Sequence, residues 1–145
     1  MSLFALLSVS ASGMTAQRTR AEVLVENLAN AETTRTPDGG PYRRKDVVFA
    51  SQPAAGSFQS AFRSHLDGDL MGVDVAEVIE DTREPDRRYL PGHPDADGEG
   101  YVSFPRVNPA EDMVDLLNSV RSYEANVAAI AAVKDMIHRS LDLLR

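Results

Sequence analysis

The sequence predicts a mainly α protein with a small β insert: long N- and C-terminal helices packed as a coiled-coil-like pair, with an irregular β domain between them. Three observations carry this expectation. All eight prolines fall between Pro37 and Pro109 and eight of the nine glycines between Gly39 and Gly100, so the strongest helix breakers are confined to the middle. Both ends repeat apolar residues at alternating steps of three and four, the rhythm of a heptad seam. The middle holds short runs rich in valine, phenylalanine and tyrosine between turn residues. The implied division is a discontinuous helical core of residues 1–35 and 108–145, and a β-rich outer domain of residues 36–107.

At the N-terminal end Leu3, Leu7, Met14, Ala21, Leu24, Leu28 and Ala31 keep the seam, with Ser10 and Gln17 as polar positions within it. Gly13 costs the helix about 1 kcal/mol relative to alanine and leaves room for a bend or a close neighbour. The helix is expected to stop near Asn30, because asparagine is a poor helix former that tolerates the left-handed cap conformation. The apolar run Leu3 to Val9 is too short for a membrane span and lacks the positive flank of a secretion signal. Export by another route is the expectation if the protein leaves the cytoplasm.

In the middle, "TPDGGPY" is a turn by composition, with Pro37 and Gly39 where turn chemistry wants them. Strands are expected at "DVVFAS" (46–51), "GVDVAEVIED" (72–81) and "YVSFPRV" (101–107). Residues 54–71 show neither period and read as a loop. "PDADGEG" fails the calcium-loop pattern, since neither an acid at its first position nor a glutamate at its twelfth is present, and reads as a turn between "YLPGH" and "YVSFP". Arg43, Arg44 and Lys45 form a basic spot that reads as a solvated edge strand or, alternatively, as a contact for an acidic patch on a neighbouring subunit.

The C-terminal helix has an explicit start in "VNPAED": Asn108 caps, Pro109 takes the first helical position and Glu111 stands where a capping-box acid reaches back. Met113, Leu116, Val120, Tyr123, Val127, Ile130, Ile137, Leu141 and Leu144 form its seam, interrupted at Lys134. With no breaker from Ala110 to Arg145 the helix could run roughly 54 Å. Within it "EANVAAIAAV" (124–133) is small or apolar on nearly every face, and Val127, Ile130 and Val133 are β-branched, so helix propensity alone does not account for them. A helix apolar all round belongs inside something larger. Two heptad seams supply one buried stripe each to a helical hairpin, and the remaining apolar surface points to neighbouring subunits, whose head-to-tail contacts give an open helical polymer. Tyr123 and Asn126, polar interruptions of the run, either hydrogen-bond across subunits or face water.

No chemistry emerges. The net charge of -7 disfavours a nucleic-acid partner, and the absence of cysteine removes disulfides, thiolate metal sites and thiol nucleophiles. His65, His93 and His138 occur singly, without the second ligand a metal site needs, and no nucleophile elbow, phosphate loop or dinucleotide fingerprint is present. No catalytic residue, metal or cofactor is expected, nor direct insertion into a membrane. Without further information, a soluble helical-hairpin binding module such as an export chaperone or regulator remains the alternative to a polymer subunit.

Residues 10–49, "SASGMTAQRTRAEVLVENLANAETTRTPDGGPYRRKDVVF", resemble the N-terminal signature of bacterial flagellar axial proteins, and "TPDGGPYRRKDVVF" is similar to proximal-rod proteins of the basal body in particular. The C-terminal half agrees, with "RSYEANV" and "VKDMI" its most typical pieces, whereas residues 54–71 have no counterpart. The signature positions are Asn27, Asn30, Pro37, Gly39, Tyr42, Arg121, Tyr123 and Asn126. The resemblance implies a structural subunit of the flagellar rod, the periplasm-spanning drive shaft, exported unfolded through the flagellar type III apparatus. It further implies terminal helices (about Ser2 to Ala31 and Pro109 to Leu144) in the inner core, the β insert facing outward, and torque carried by packing. Implied partners are copies of itself, other rod proteins, the rod–MS-ring adaptor and the distal rod. The residues expected to pack between subunits are Leu3, Leu7, Met14, Leu24, Leu28, Met113, Leu116, Val120, Tyr123, Val127, Ile130, Val133, Ile137, Leu141 and Leu144.

Overall fold

A computed structural model describes residues 3–53 and 71–142. Helix α1 (Leu3–Ala29) leads into a turn-rich linker, then strands β1 (Lys45–Pro53), β2 (Met71–Glu80), β3 (Asp86–Tyr89) and β4 (Tyr101–Phe104), and finally helix α2 (Pro109–Asp142). The chain is thus mainly α with a small β region between two long helices. The unmatched loop reading at 54–70 and the seam position Leu144 lie outside the described residues, and Met71, read as the end of that loop, begins β2.

α1 ends where the sequence said it should but by another device. Asn30 is not left-handed: no non-glycine residue among those described has a positive φ. Instead the Asn30 amide nitrogen donates to the Glu26 carbonyl at 2.9 Å, beside the Asn30 main-chain N–H at 3.1 Å, so the side chain caps a carbonyl of the last turn. The chain then reverses through Gly39 and Gly40, whose φ values of 88° and 81° are open to glycine without a Cβ penalty. The Thr36 N–H reaches the Gly40 carbonyl at 2.8 Å and closes this turn.

Asn27 joins α1 to the sheet. Its side chain is fully buried, accepts from the Lys45 N–H at 2.9 Å and donates to the Lys45 carbonyl at 2.8 Å, pairing with the start of β1 as a neighbouring strand would. The Tyr42 hydroxyl donates to the same Asn27 oxygen at 2.9 Å. Every polar atom this amide buries is engaged, which is the condition for burying it at all.

β1 and β2 form an antiparallel hairpin, Lys45 opposite Glu80 and Pro53 opposite Met71, with a bulge between Val48 and Phe49. The hairpin lies along α1. Ser12 fixes it there: its hydroxyl donates to the Val9 carbonyl at 2.7 Å and accepts from the Val73 N–H at 3.1 Å. A Cβ on Gly72 would come within 2.9 Å of that hydroxyl, so any larger residue there would displace the Ser12 side chain from its bond to Val73. β3 and β4 make a second antiparallel pair, Asp86 opposite Phe104 and Tyr89 opposite Tyr101. β3 went unread in the sequence because "DRRY" has no apolar alternation and all four residues are exposed. β4 stops at Phe104 rather than Val107, since buried Pro105 cannot donate to a ladder. The turn reading of the segment between them holds: Asp97 accepts from the Glu99 and Tyr101 N–H groups at 2.9 Å, and Gly100 takes a φ of 84°.

α2 begins at Pro109 with Asn108 as cap, its side-chain oxygen accepting from the Ala110 N–H at 3.2 Å. Glu111 makes no reciprocal bond among the described residues, so the box is half closed. The helix spans 34 residues, roughly 51 Å, and packs along α1. Replacing Asn27 with alanine leaves a buried N–H, carbonyl and hydroxyl unpaired. Equilibrium chemical denaturation is expected to show a loss of about 2–4 kcal/mol for Asn27→Ala, against less than about 1 kcal/mol for exposed Thr15→Ala.

Candidate functional site: a subunit-packing surface

The side chains that bring the two helices together are not the greasiest ones. On α2 the covered positions are Asp112, Leu116, Ser119, Ser122, Asn126, Ile130, Val133 and Ile137, themselves spaced by threes and fours. Up to Asn126 this stripe is mostly small or polar. At Asp112, Ser119, Ser122 and Asn126 it runs one residue ahead of the heptad seam read from the sequence, a rotation of about 100°, and it shares Leu116, Ile130 and Ile137 with that seam. Small groups permit close approach: a Cβ on Gly13 of α1 would meet the Asn126 side chain at 3.1–3.3 Å, and Ala16 and Ser119 are both 2% exposed. Gly13 therefore serves a neighbour's approach. The Asn126 amide donates one hydrogen bond to its own helix, to the Ser122 carbonyl at 2.9 Å.

The expectation that the heptad seam of α2 faces α1 is accordingly corrected. Leu116, Ile130, Val133 and Ile137 do turn inward, but Met113 (50% exposed), Val120 (44%), Tyr123 (37%), Val127 (44%) and Leu141 (58%) stay open, joined by Val114 and Leu117. The physical reason is that the polar stripe fits against Gly13 and Ala16, and a helix cannot turn two faces to one partner. On α1, Leu24 is buried and Leu7, Met14 and Leu28 are partly covered, whereas Leu3 is 36% exposed. The result is an apolar strip along α2 with no cover from the chain's own described residues. Contiguous strips of this kind mark interaction surfaces in proteins that stay in solution.

A second group of residues locks the sheet to both helices. The Lys45 ammonium pairs with Glu26 at 2.6 Å, and that hydrogen bond holds it above its ordinary pKa. Burial, with the Glu26 and Glu80 carboxylates nearby, raises the Tyr42 phenol well above its usual value and keeps it a donor to Asn27. Arg44 bridges Asp46 at 2.6 Å and Asp112 at 2.9 Å, the latter only 1% exposed. Burial opposes the Arg44 charge, but the Asp112 carboxylate outweighs it and the guanidinium is held above its ordinary pKa. One Asp112 oxygen has no partner, so the pair is incompletely satisfied and its geometry rests on Arg44 alone. The basic run at 43–45 is thus neither a plain edge nor, at Arg44 and Lys45, a contact for another subunit: two of its three charges are spent within the chain.

Of the signature positions, Asn27 and Tyr42 meet in one hydrogen-bonded cluster and Asn30 caps α1 beside it, while Pro37 and Gly39 lie in the exposed turn and Arg121 and Tyr123 lie exposed on α2. Asp112 and Arg44 were missed; a buried acid three residues after Pro109 is announced only by the small polar periodicity that follows it. Among the described residues no group of three histidine or acidic side chains is placed to hold a metal ion, and no helix is long and apolar enough to cross a membrane.

Asp81 is wrapped by Arg83, whose guanidinium and main-chain N–H both donate to it, with Arg106 adding to the field; these hold its pKa at about 2 against the opposing effect of burial. A depressed carboxylate pKa contributes stability above its unfolded value and loses it as pH falls through the folded value. Stability is therefore expected to drop between about pH 4 and pH 2, and Asp81→Asn to flatten that slope in denaturant melts. For the buried pair, Arg44→Met is expected to cost about 3 kcal/mol by stranding Asp112, whereas the double change Arg44→Met, Asp112→Leu recovers most of it in a double-mutant cycle.

Comparison with known proteins adds an independent observation. Residues 99–143 match the family profile described as flagellar basal body rod FlgEFG protein C-terminal. Over essentially the whole chain the sequence is similar to proteins named flagellar basal-body rod protein FlgC. The Bacillus subtilis protein is 44% identical over 150 residues, covering 99% of each chain. That of Borreliella burgdorferi is 40% identical over 151 residues, covering 100% of this chain and 99% of the relative. That of Salmonella typhimurium is 38% identical over 143 residues, covering 99% and 98%.

Proposed function

The chain belongs to the FlgC family of flagellar basal-body rod proteins, and from that premise we propose that it polymerises into the proximal rod through its terminal helices. It is a structural subunit of the rod, located in the flagellar basal body, where it assembles with other rod components. The reading as a soluble chaperone or regulator, open from the helical seams alone, gives way to this membership.

The observation that carries the assembly mode is the open strip on α2. Met113, Val114, Leu117, Val120 and Val127 are each at least 44% exposed in the single chain. Complete burial of such a side chain contributes about 1.5–3 kcal/mol, and since each of the five is already about half covered, roughly half of that remains for a partner to supply. Residues 1–35 and 108–145 form the inner core of the polymer in this reading, and residues 36–107 its outer part. The heptad seam then does its packing between subunits, with Tyr123 at its centre and Ile130 and Ile137 shared between the intrachain and interchain contacts. The neighbours are further copies, other rod proteins, the rod–MS-ring adaptor and the distal rod. The chain reaches them through the flagellar type III export apparatus, a passage for which a small domain without disulfides is suited. Torque is transmitted through dense side-chain packing, and no substrate is turned over.

The test separates folding from assembly. Leu117→Asp and Val120→Asp, on the open strip, are expected to leave monomer unfolding within about 0.5 kcal/mol of the parent and yet abolish rods in isolated basal bodies and swimming in soft agar. Rods of normal length in either variant would sink the proposed mode of packing.

A further inference from the structure

Arg43, Arg83 and Arg106 line one cavity together with one carboxylate, that of Asp81. Arg44, on the same wall, is neutralised by Asp46 and Asp112. Arg83 occupies Asp81. Arg43 gives one guanidinium N–H to the Asp81 main-chain carbonyl at 3.2 Å, and neither it nor Arg106 has an ion pair among the described residues. Two positive charges therefore stand without a salt bridge of their own among the described residues, Arg106 facing only the Asp81 carboxylate that Arg83 already holds, in a chain of net charge -7.

Edge protection does not account for them. Arg43 precedes β1 and Arg106 follows β4, so neither blunts a strand edge. Both are exposed, and both are presented by stiff backbone: Arg106 follows buried Pro105, and Arg43 follows buried Tyr42. The cavity between them is about 10 Å³, room for about one water, so an anion meets the guanidinium groups at its mouth and is not enclosed. What fits is a carboxylate offered from outside by a side chain, approached by planar guanidinium forks that match its geometry.

We propose that Arg43 and Arg106, with Arg83 behind them, form a second subunit contact that receives an acidic side-chain cluster of a neighbouring rod subunit. The contact is electrostatic where the α2 strip is apolar. Acidic subunits brought together repel one another, and an opposite-charge contact at a fixed place offsets that repulsion and selects one register among those that apolar packing allows. The proposal rests on the rod reading for the existence of neighbours. Leu117→Asp tests that reading without touching the arginines, so the two can fail separately.

The experiment is the double charge reversal Arg43→Glu, Arg106→Glu in the full chain, with Arg43→Lys, Arg106→Lys as the charge-preserving control. The reversal is expected to weaken the fold only slightly, through the lost Arg43 bond and the lost field of Arg106 at Asp81, and to lower the number of rods in isolated basal bodies roughly ten-fold or more, while the lysine variant retains most of them. Spontaneous swimming revertants are expected to carry acidic-to-basic changes at exposed positions of a rod subunit. Normal rod numbers in the reversal, a collapse of monomer unfolding, or revertants confined to Asp46 and Asp81 of the same chain would each overturn the proposal.

Discussion

The close contact of α1 and α2 through small side chains constrains everything else in this molecule. Gly13 stands against Asn126, and Ala16 and Ser119 are almost wholly covered. Because the first half of the stripe that makes this contact is mostly small or polar, Met113, Val120, Tyr123 and Val127 lie about a third of a turn away from it, while Leu116, Ile130, Val133 and Ile137 stay on the inward side. The helix is two-faced in an unusual sense. Its inner face combines small and polar side chains near Gly13 with apolar ones toward its C-terminal end, and its outer face carries the remaining oily surface.

That division explains how the remaining polar groups are used. A pair of helices held by small residues buries little apolar area, so the β region is attached by bonds rather than by a large core. Asn27 with Lys45 and Tyr42, Ser12 with Val73, and Arg44 with Asp112 are three such attachments. Each joins a helix to the sheet or its linker, and together they tie both helices to β1 and β2. The fully buried hydrophobic set is correspondingly short: Val102, Ala16, Leu24 and a few others. Arg44 shows the cost of this design. Its partner Asp112 is buried with one oxygen unpaired, an arrangement that apolar residues of the same shape would improve in stability terms. What the ion pair supplies instead is one defined placement of α2 against the strand.

Much of the architecture was legible in the sequence because its signals are local. Proline and glycine bracket the middle, Asn108 and Pro109 open α2, and three of the four strands are announced by their valines and aromatics. The facing of the helices was not legible. A heptad rhythm says that a helix has an apolar seam but not who covers it, and Ser119, Ser122 and Asn126 carry no hydrophobic signal although they repeat at the same spacing. β3 escaped because its stability comes from pairing with β4 and from arginines stacked on Tyr101 and Phe104, not from its own pattern. Asn30 was placed correctly as a terminus and wrongly as a left-handed residue, since its side chain reached a carbonyl before its backbone had to bend. Recognition of the family came from contiguous motifs, and those motifs include the Asn27 and Tyr42 pair, whose contact is 15 residues apart in sequence and invisible to any periodicity.

The Asn27 bridge also bears on stiffness. A strand hung from a helix by a glycine-containing linker alone would swivel, and any rotation of the helix would dissipate in that joint. Here the fully buried amide bonds both polar groups of Lys45 and so couples the last turn of α1 to the first residue of β1. In the proposed rod, a turn of the helices would reach the β region through this amide and not through the linker alone.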